Sequence, residues 1–337
     1  MRFYKTLALM IIVCLFACAP TKNTEVLRGN TMGTTWSVKV VSDGVFAKEK
    51  LMQGIGSALE KVNATASNWR ENSSVSRFNT AKQVCVEDDL LVLLAKHSAD
   101  ISRASNGAFD VTVSPLIELW GFGVEWTPDL IPAPQEIEAA LAKTGATKIE
   151  VRDGQLCKQH AGVSANFSAI AKGLAVDQMA KVLEAAGHAN FLAEVGGELV
   201  AKGFNAKGVR WRIGVKKPVP LESAQSGGMV SKALELTDEA IATSGDYYNF
   251  FDVDGQRYSH VINPKTGYPV AHDTVSVTVI ADDCMSADAW ATALLVLGKA
   301  RGLKVAEEQQ LEVMFIQQAA KNKPLTASYS THWSHAL

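Results

Sequence analysis

The chain has 337 residues, 47% hydrophobic and 20% charged, with a formal charge of −2. That is enough apolar mass to bury a core as one large domain or two interlocked subdomains. A mildly acidic chain with no Lys/Arg run argues against nucleic acid as a partner, and the spacing of its five cysteines fits no zinc site.

In chain order, Arg2 and Lys5 precede the apolar run TLALMIIVCLFA, too short to span a bilayer comfortably, and Cys18 follows. This pattern predicts a signal peptide over 1–17. Leu15-Phe16-Ala17-Cys18 resembles the lipobox of bacterial lipoproteins, which implies acylation of Cys18, a polar tether over 18–25 and a folded domain over 26–337. Anchoring would then be at the periplasmic face of a membrane, with the outer membrane favoured because Ala19 is not the Asp that usually signals inner-membrane retention. Cys85, Cys157 and Cys284 remain, and one disulfide among them is compatible with an oxidising compartment, but spacing does not choose the pair.

Downstream, TWSVKVV reads as a strand after the turn-like GNTMGTT. Apolar positions Leu51, Ile55, Leu59 and Val62 predict a helix over 47–63, and Asp88 or Asp89 caps a second helix over 88–104. Helices are also predicted at 134–144, opened by Pro134, at 170–186, at 285–297 and at 301–309. Strands are predicted at 148–152, 191–201, 211–216, 275–280 and 312–316. Strands arriving in adjacent runs indicate an α+β fold with mainly antiparallel sheets flanked by helices. The absence of G-x-G-x-x-G between a strand and a helix disfavours a doubly wound nucleotide fold.

Three groups of residues suggest chemistry. FSAIAKGLAVD enters a helix with Lys172 in its first turns, suited to an anion such as pyrophosphate; equally, Lys172 is a surface lysine and Gly173 a packing glycine. In CMSADAWATALLVLG, Asp288 and Thr292 lie one helical turn apart, so a carboxylate and a hydroxyl can meet one hard cation such as Mg²⁺. The alternative there is a helix-dipole charge beside a threonine bonded to a carbonyl. Met32, Trp69, Phe109 and Asp110 sit at loop or strand ends where a flat heterocycle can stack, with Asp110 accepting ring or ribose protons. The glycine pair of AEVGGELVAKG reads as a bulge or close backbone approach.

SGDYYNFFDVDGQRYSHVINPKTG reads as a hairpin hinged on Asp254-Gly255. Its register sets Val253 against Gln256, Asp252 against Arg257, Phe251 against Tyr258 and Asn249 against His260. His260 therefore leaves the sheet where two loops begin, either as a buried core histidine or as a group able to titrate usefully.

Together MGTTWSV, SRFN, GAFDVTVSPLIELWGFG, AIAKGLAVDQ, EVGGEL, AIATSGDYYNFF, YSHVINPKTGYPV and SVTVIADDCMSADAWATAL resemble the ApbE family of FAD:protein FMN transferases, over nearly all of the mature chain. The resemblance implies a membrane-tethered, Mg²⁺-dependent enzyme. It would split the pyrophosphate of FAD, transfer FMN to a Ser or Thr hydroxyl of a partner protein and release AMP. Partners would be flavin-bearing subunits of sodium-translocating NADH:quinone reductase or the related electron-transport complex. It implies FAD contacts at Met32, Trp69, Ala108, Phe109, Asp110, Asn166 and Lys172, Mg²⁺ ligands at Ala169 (main-chain oxygen), Asp288 and Thr292, and a base at His260. Asn166 stands where many members have Asp, so a charged contact becomes a hydrogen bond. A periplasmic FAD pyrophosphatase releasing FMN and AMP, and a non-catalytic FAD-binding lipoprotein, are the competing readings.

Overall fold

The computed structural model describes residues 22–335 except 43, 45, 81–84, 128–129, 217, 219–229, 248 and 321–322. The expected leader over 1–17 and the acylated Cys18 lie outside the described residues. Fifteen strands appear among the described residues: β1 (Asn23–Thr31), β2 (Thr34–Ser42), β3 (Cys85–Glu87), β4 (Ile149–Arg152), β5 (Gln155–Lys158), β6 (Phe191–Val195), β7 (Glu198–Lys202) and β8 (Trp211–Lys216), then β9 (Val230–Leu236), β10 (Glu239–Gly245), β11 (Phe250–Val253), β12 (Gln256–Ser259), β13 (Thr274–Ala281), β14 (Glu312–Gln317) and β15 (Thr326–Tyr329). The helices are α1 (Lys48–Ala66), α2 (Ser74–Thr80), α3 (Asp89–Ala104), α4 (Ser114–Leu119), α5 (Pro134–Leu141), α6 (Ser168–Ala185) and α7 (Cys284–Glu308).

Eight strands form one sheet in the order β1-β2-β6-β7-β10-β13-β14-β15, and β3-β5-β4, β8-β9 and β11-β12 form smaller ones. Every pair of these strands is antiparallel, so the α+β expectation holds. Helices α1, α6 and α7 cover one face of the large sheet, where Val38, Ala193, Val277 and Phe315 meet Ile55, Leu174 and Leu294. On the other face Leu199, Ile241 and Met314 meet Trp211, Ile213 and Leu234 of the β8-β9 ribbon. With both faces covered, β13 is buried at every position but its last, and its sequence, TVSVTVIA, carries no charge.

Helices α2 and α3 share the first core with α1 and α6. A disulfide between Cys85 and Cys157 ties β3 to β5, while Cys284 stays a buried thiol. The β11-β12 hairpin has the expected register. Its Phe251 packs with Leu116 of α4, Ile137 of α5 and Trp120 just after α4, and Trp120 stacks on Tyr258 and donates its Nε1–H to the Gly267 carbonyl (2.8 Å).

Several expectations are corrected. Strand β1 begins at Asn23, so the last residues of the expected tether are sheet. The Gly196-Gly197 pair is the two-residue turn between β6 and β7, with φ of 64° and 116°, and not a bulge. Strands β9 and β10 occupy a stretch read without structure. The strand at 312–316 is followed by β15 at the sheet edge, and α7 runs through both predicted C-terminal helices with a break at Gly298.

Candidate functional site

One cavity of about 630 Å³ opens between the α6/α7 layer, the loops around 109 and 166 and the base of the β11-β12 hairpin. That size is within the range of small-molecule sites. Trp69, Ala108, Phe109, Asp110, Asn166, Ala169, Lys172, His260, Asp288 and Thr292 all line it. Met32 does not. It is the first loop residue of the β1-β2 turn, at φ 49°, packed against the core, so the expected contact there is not among the lining.

The polar floor is made where α6 and α7 touch. A Cβ on Gly173 would sit 2.3 Å from the Cys284 carbonyl oxygen, so only glycine permits this approach. The approach lets the Gly173 N–H donate to Asp288 Oδ2 at 2.9 Å. In a regular helix that N–H faces the carbonyl of Ala169, whose oxygen has a second lone pair available. Asp288 is 4% exposed, and burial, opposed by the Lys172 ammonium and reinforced by Glu198, raises its carboxyl to about 7. The N-terminus of α7 is capped by other carboxylates. Asp283 accepts from Ser286 N–H (2.7 Å), and Asp177 accepts from Cys284 and Met285 N–H (both 2.9 Å). Asp288 is therefore not spent on the helix dipole. Thr292 Oγ1 meets Ser244 Oγ of β10 at 3.0 Å and not a backbone carbonyl.

Lys172 is paired with Glu198 Oε1, at the start of β7. Although burial opposes its charge, Asp288 and Glu198 together hold its ammonium above the usual range. Glu198 is 3% exposed, and its Oε2 is buried with no hydrogen-bond partner among the described residues. One ammonium thus faces two buried carboxyl groups, and carboxyl, hydroxyl and carbonyl oxygens converge beside it. That donor set suits a hard divalent cation. Glu198 was missed at the sequence level, where it appeared only inside EVGGEL; a carboxylate following a tight turn beside an apolar strand is its sole signal.

At the entry to α6, Asn166 Oδ1 accepts from Ser168 N–H (2.9 Å), and its own N–H donates to the Val111 carbonyl (2.7 Å). Asp110 Oδ1 accepts from the N–H (2.8 Å) and hydroxyl (2.6 Å) of Thr112, and burial nevertheless pushes its carboxyl up. These bonds set the backbone at both residues before any ligand arrives. Trp69, 61% exposed, and Trp126, 51% exposed, stand at the rim, and Trp126 packs edge-on against Phe122. Phe122 and Trp126 were also missed: Phe122 appeared only inside GAFDVTVSPLIELWGFG, and Trp126 lies beyond that stretch.

His260 stands at the end of β12 as the register required. Its N–H donates to the Asn249 carbonyl (3.0 Å), and its Nδ1 lies 2.9 Å from the same oxygen. A carbonyl only accepts, so Nδ1 carries the hydrogen and Nε2 keeps its lone pair. Burial is the main cause that lowers the pKa of this imidazole; the Asn249 contact opposes it and the Lys172 charge adds to it.

A family model described as the ApbE family matches residues 32–315. The FAD:protein FMN transferase of Vibrio cholerae serotype O1 is 40% identical over 312 residues, covering 92% of each chain. Among solved structures, the flavin transferase ApbE from Vibrio cholerae superposes with a TM-score of 0.83 at 37% identity, covering 93% of this chain and 98% of that one. The apo form of the Pseudomonas stutzeri flavinyl transferase ApbE gives 0.83 at 34% identity, with 93% and 96% covered.

Proposed function

The chain belongs to the ApbE family, and from that premise we propose that it is a transferase moving the FMN moiety of FAD onto a Ser or Thr hydroxyl of a target protein, with AMP as the leaving product. The observation that carries the reading is His260, held as a neutral base. Its Nδ1–H is tied to Asn249, which leaves Nε2 with a lone pair, and the residue lines the cavity that Lys172 and Asp288 also line.

Phosphoryl transfer asks mainly for positioning and charge neutralisation. Here Lys172 faces the diphosphate, and Trp69, Phe109 and Asp110 position the ring system. His260 Nε2 takes the proton of the acceptor hydroxyl as its oxygen bonds to the FMN phosphorus. The bond from that phosphorus to the bridging oxygen breaks, and AMP departs with the electron pair. General base catalysis by a group of this kind contributes ~10²- to 10⁴-fold. Asp288, Thr292 and the main-chain oxygen of Ala169 would hold Mg²⁺, which when bound supplies further neutralisation of the diphosphate.

The acceptors in this reading are flavin-bearing subunits of sodium-translocating NADH:quinone reductase or a related electron-transport complex. The enzyme works at the periplasmic face of the membrane, carried by lipid on Cys18. The Cys85–Cys157 disulfide supports an oxidising compartment, and among the described residues no helix is long and apolar enough to cross a membrane.

The test is to mix the protein with FAD, Mg²⁺ and an acceptor subunit and to follow covalent flavin fluorescence on the acceptor's gel band. His260→Asn is expected to bind FAD as the wild type does and to lose transfer by 10²-fold or more. Undiminished labelling refutes the role of His260. Free FMN with an unlabelled acceptor identifies a pyrophosphatase, and unchanged FAD a binding protein.

A further inference from the structure

Remote from the cavity, a second cluster of ligating groups lies at one end of the large sheet. Glu239 is the first residue of β10, Glu312 the first of β14, and His335 belongs to the segment after β15. One ligand atom from each, a ring nitrogen of His335 and a carboxylate oxygen of each glutamate, falls within 4.8 Å of the others. The imidazole nitrogen is 3.3 Å from the first carboxylate oxygen and 3.7 Å from the second. His335 is only 7% exposed, yet its Nε2 has no partner in hydrogen-bond geometry among the described residues. A buried nitrogen aimed between two carboxylates and bonded to neither leaves a polar group unsatisfied, which folded proteins avoid unless a ligand completes it.

We propose that Glu239, Glu312 and His335 form a binding site for a divalent transition metal of the Zn²⁺ type, separate from the catalytic cavity. Tetrahedral ligation at 2.0–2.1 Å puts ligand atoms about 3.3 Å apart, so the cluster needs to contract by less than about 1.5 Å. An imidazole with two carboxylates selects zinc over magnesium, which prefers oxygen alone. The carboxylates are about a quarter exposed, leaving a path for the ion and a fourth position for water. Their supports are in place: Ser334 donates its N–H (2.9 Å) and hydroxyl (3.0 Å) to Glu312 Oε2, and Thr237 N–H donates to Glu239 Oε2 (3.3 Å). Lys232, over the rings of Tyr329 and Trp333, holds the same segment. Along β10, Glu239 lies five residues from the cavity-lining Ser244, about 17 Å at strand rise. The ion would clamp the segment after β15 to the sheet.

The test uses the full chain, stripped with a chelator and returned to excess Mg²⁺, with Zn²⁺ titrated by calorimetry and bound metal counted after dialysis. The wild type is expected to retain one zinc per chain and to melt at a higher temperature with it. His335→Gln should lose affinity by tenfold or more and lose the zinc-dependent rise, while flavin transfer stays at the wild-type rate. Should His335→Gln fail to fold, Glu239→Gln, which keeps shape and removes charge, decides by the same two readouts. A wild type that retains no zinc overturns the proposal, since the triad is then only a proton-bridged ion cluster; so does zinc bound equally by the wild type and Glu239→Gln.

Discussion

Lys172, Glu198 and Asp288 set one partly exposed ammonium against two buried carboxyl groups, so the protonation of that floor depends on what else is bound there. The folded carboxyl of Asp288 titrates at about 7, against 3.8 for an unperturbed one. Asp177 is shifted the same way, to about 6, by its own burial, with Asp283 adding and two backbone N–H bonds opposing. Because the native state binds the extra protons, these groups stabilise fully below about pH 4, and that stability is lost as pH rises through about 7. Metal-free protein is therefore expected to melt lower at pH 8 than at pH 5, by on the order of 5 °C. Saturating Mg²⁺ should recover most of that loss, and Asp288→Asn should flatten the slope and abolish the recovery. Melts in chelator and in Mg²⁺ at both pH values check this, and equal metal-free melting temperatures would count against a shifted Asp288. The chemistry of these residues was legible only where a motif carried it. Glu198 could not be singled out, because its burial is created jointly by β7, α6 and α7. Met32 sits in a tight turn with a left-handed backbone and is not among the residues lining the cavity.

Among elements, the α6/α7 contact sets the tolerance of the site. Gly173→Ala forces the helices apart against the Cys284 carbonyl, an overpacking expected to cost about 1–3 kcal/mol. It also lengthens the Gly173-to-Asp288 bond, so Mg²⁺ affinity should fall along with stability. Denaturant unfolding and Mg²⁺ titration measure the two effects, and a stable variant with unchanged affinity would show that the approach is not needed. The amphipathic helices were legible because their apolar positions recur at 3.6-residue spacing, as in α1 and α3. The β11-β12 hairpin was legible because Asp254-Gly255 dictates a turn. Strand β10 was not. Ala240, Ile241 and Ala242 are buried in succession, so no alternation shows, and its entry turn uses Asp238 at φ 56° with no glycine to mark it.

Over the whole molecule, the first and last strands form opposite edges of the large sheet, while the three-stranded sheet is fastened by a disulfide closing a separation of 72 residues. Replacing Cys85 and Cys157 by serine should lower unfolding free energy by about 2–4 kcal/mol. Neither cysteine lines the cavity, so flavin transfer at 25 °C should continue; a variant that stays folded but loses transfer would contradict the separation of staple and site. The α+β class was legible at this scale from runs of adjacent strands, whereas the eight-strand order was not, since it depends on pairings such as β2 with β6 between segments far apart in the chain.

Gly173 and Asp288, the residues that join the two helices under the cavity, are separated by 115 positions. A nascent polypeptide holding only the earlier one can collapse around its first helices and pair Lys172 with Glu198, but it lacks Asp288 and Thr292. Closure of the floor is consequently a late event of biosynthesis, and a chain cut short before its last long helix is expected to lack it.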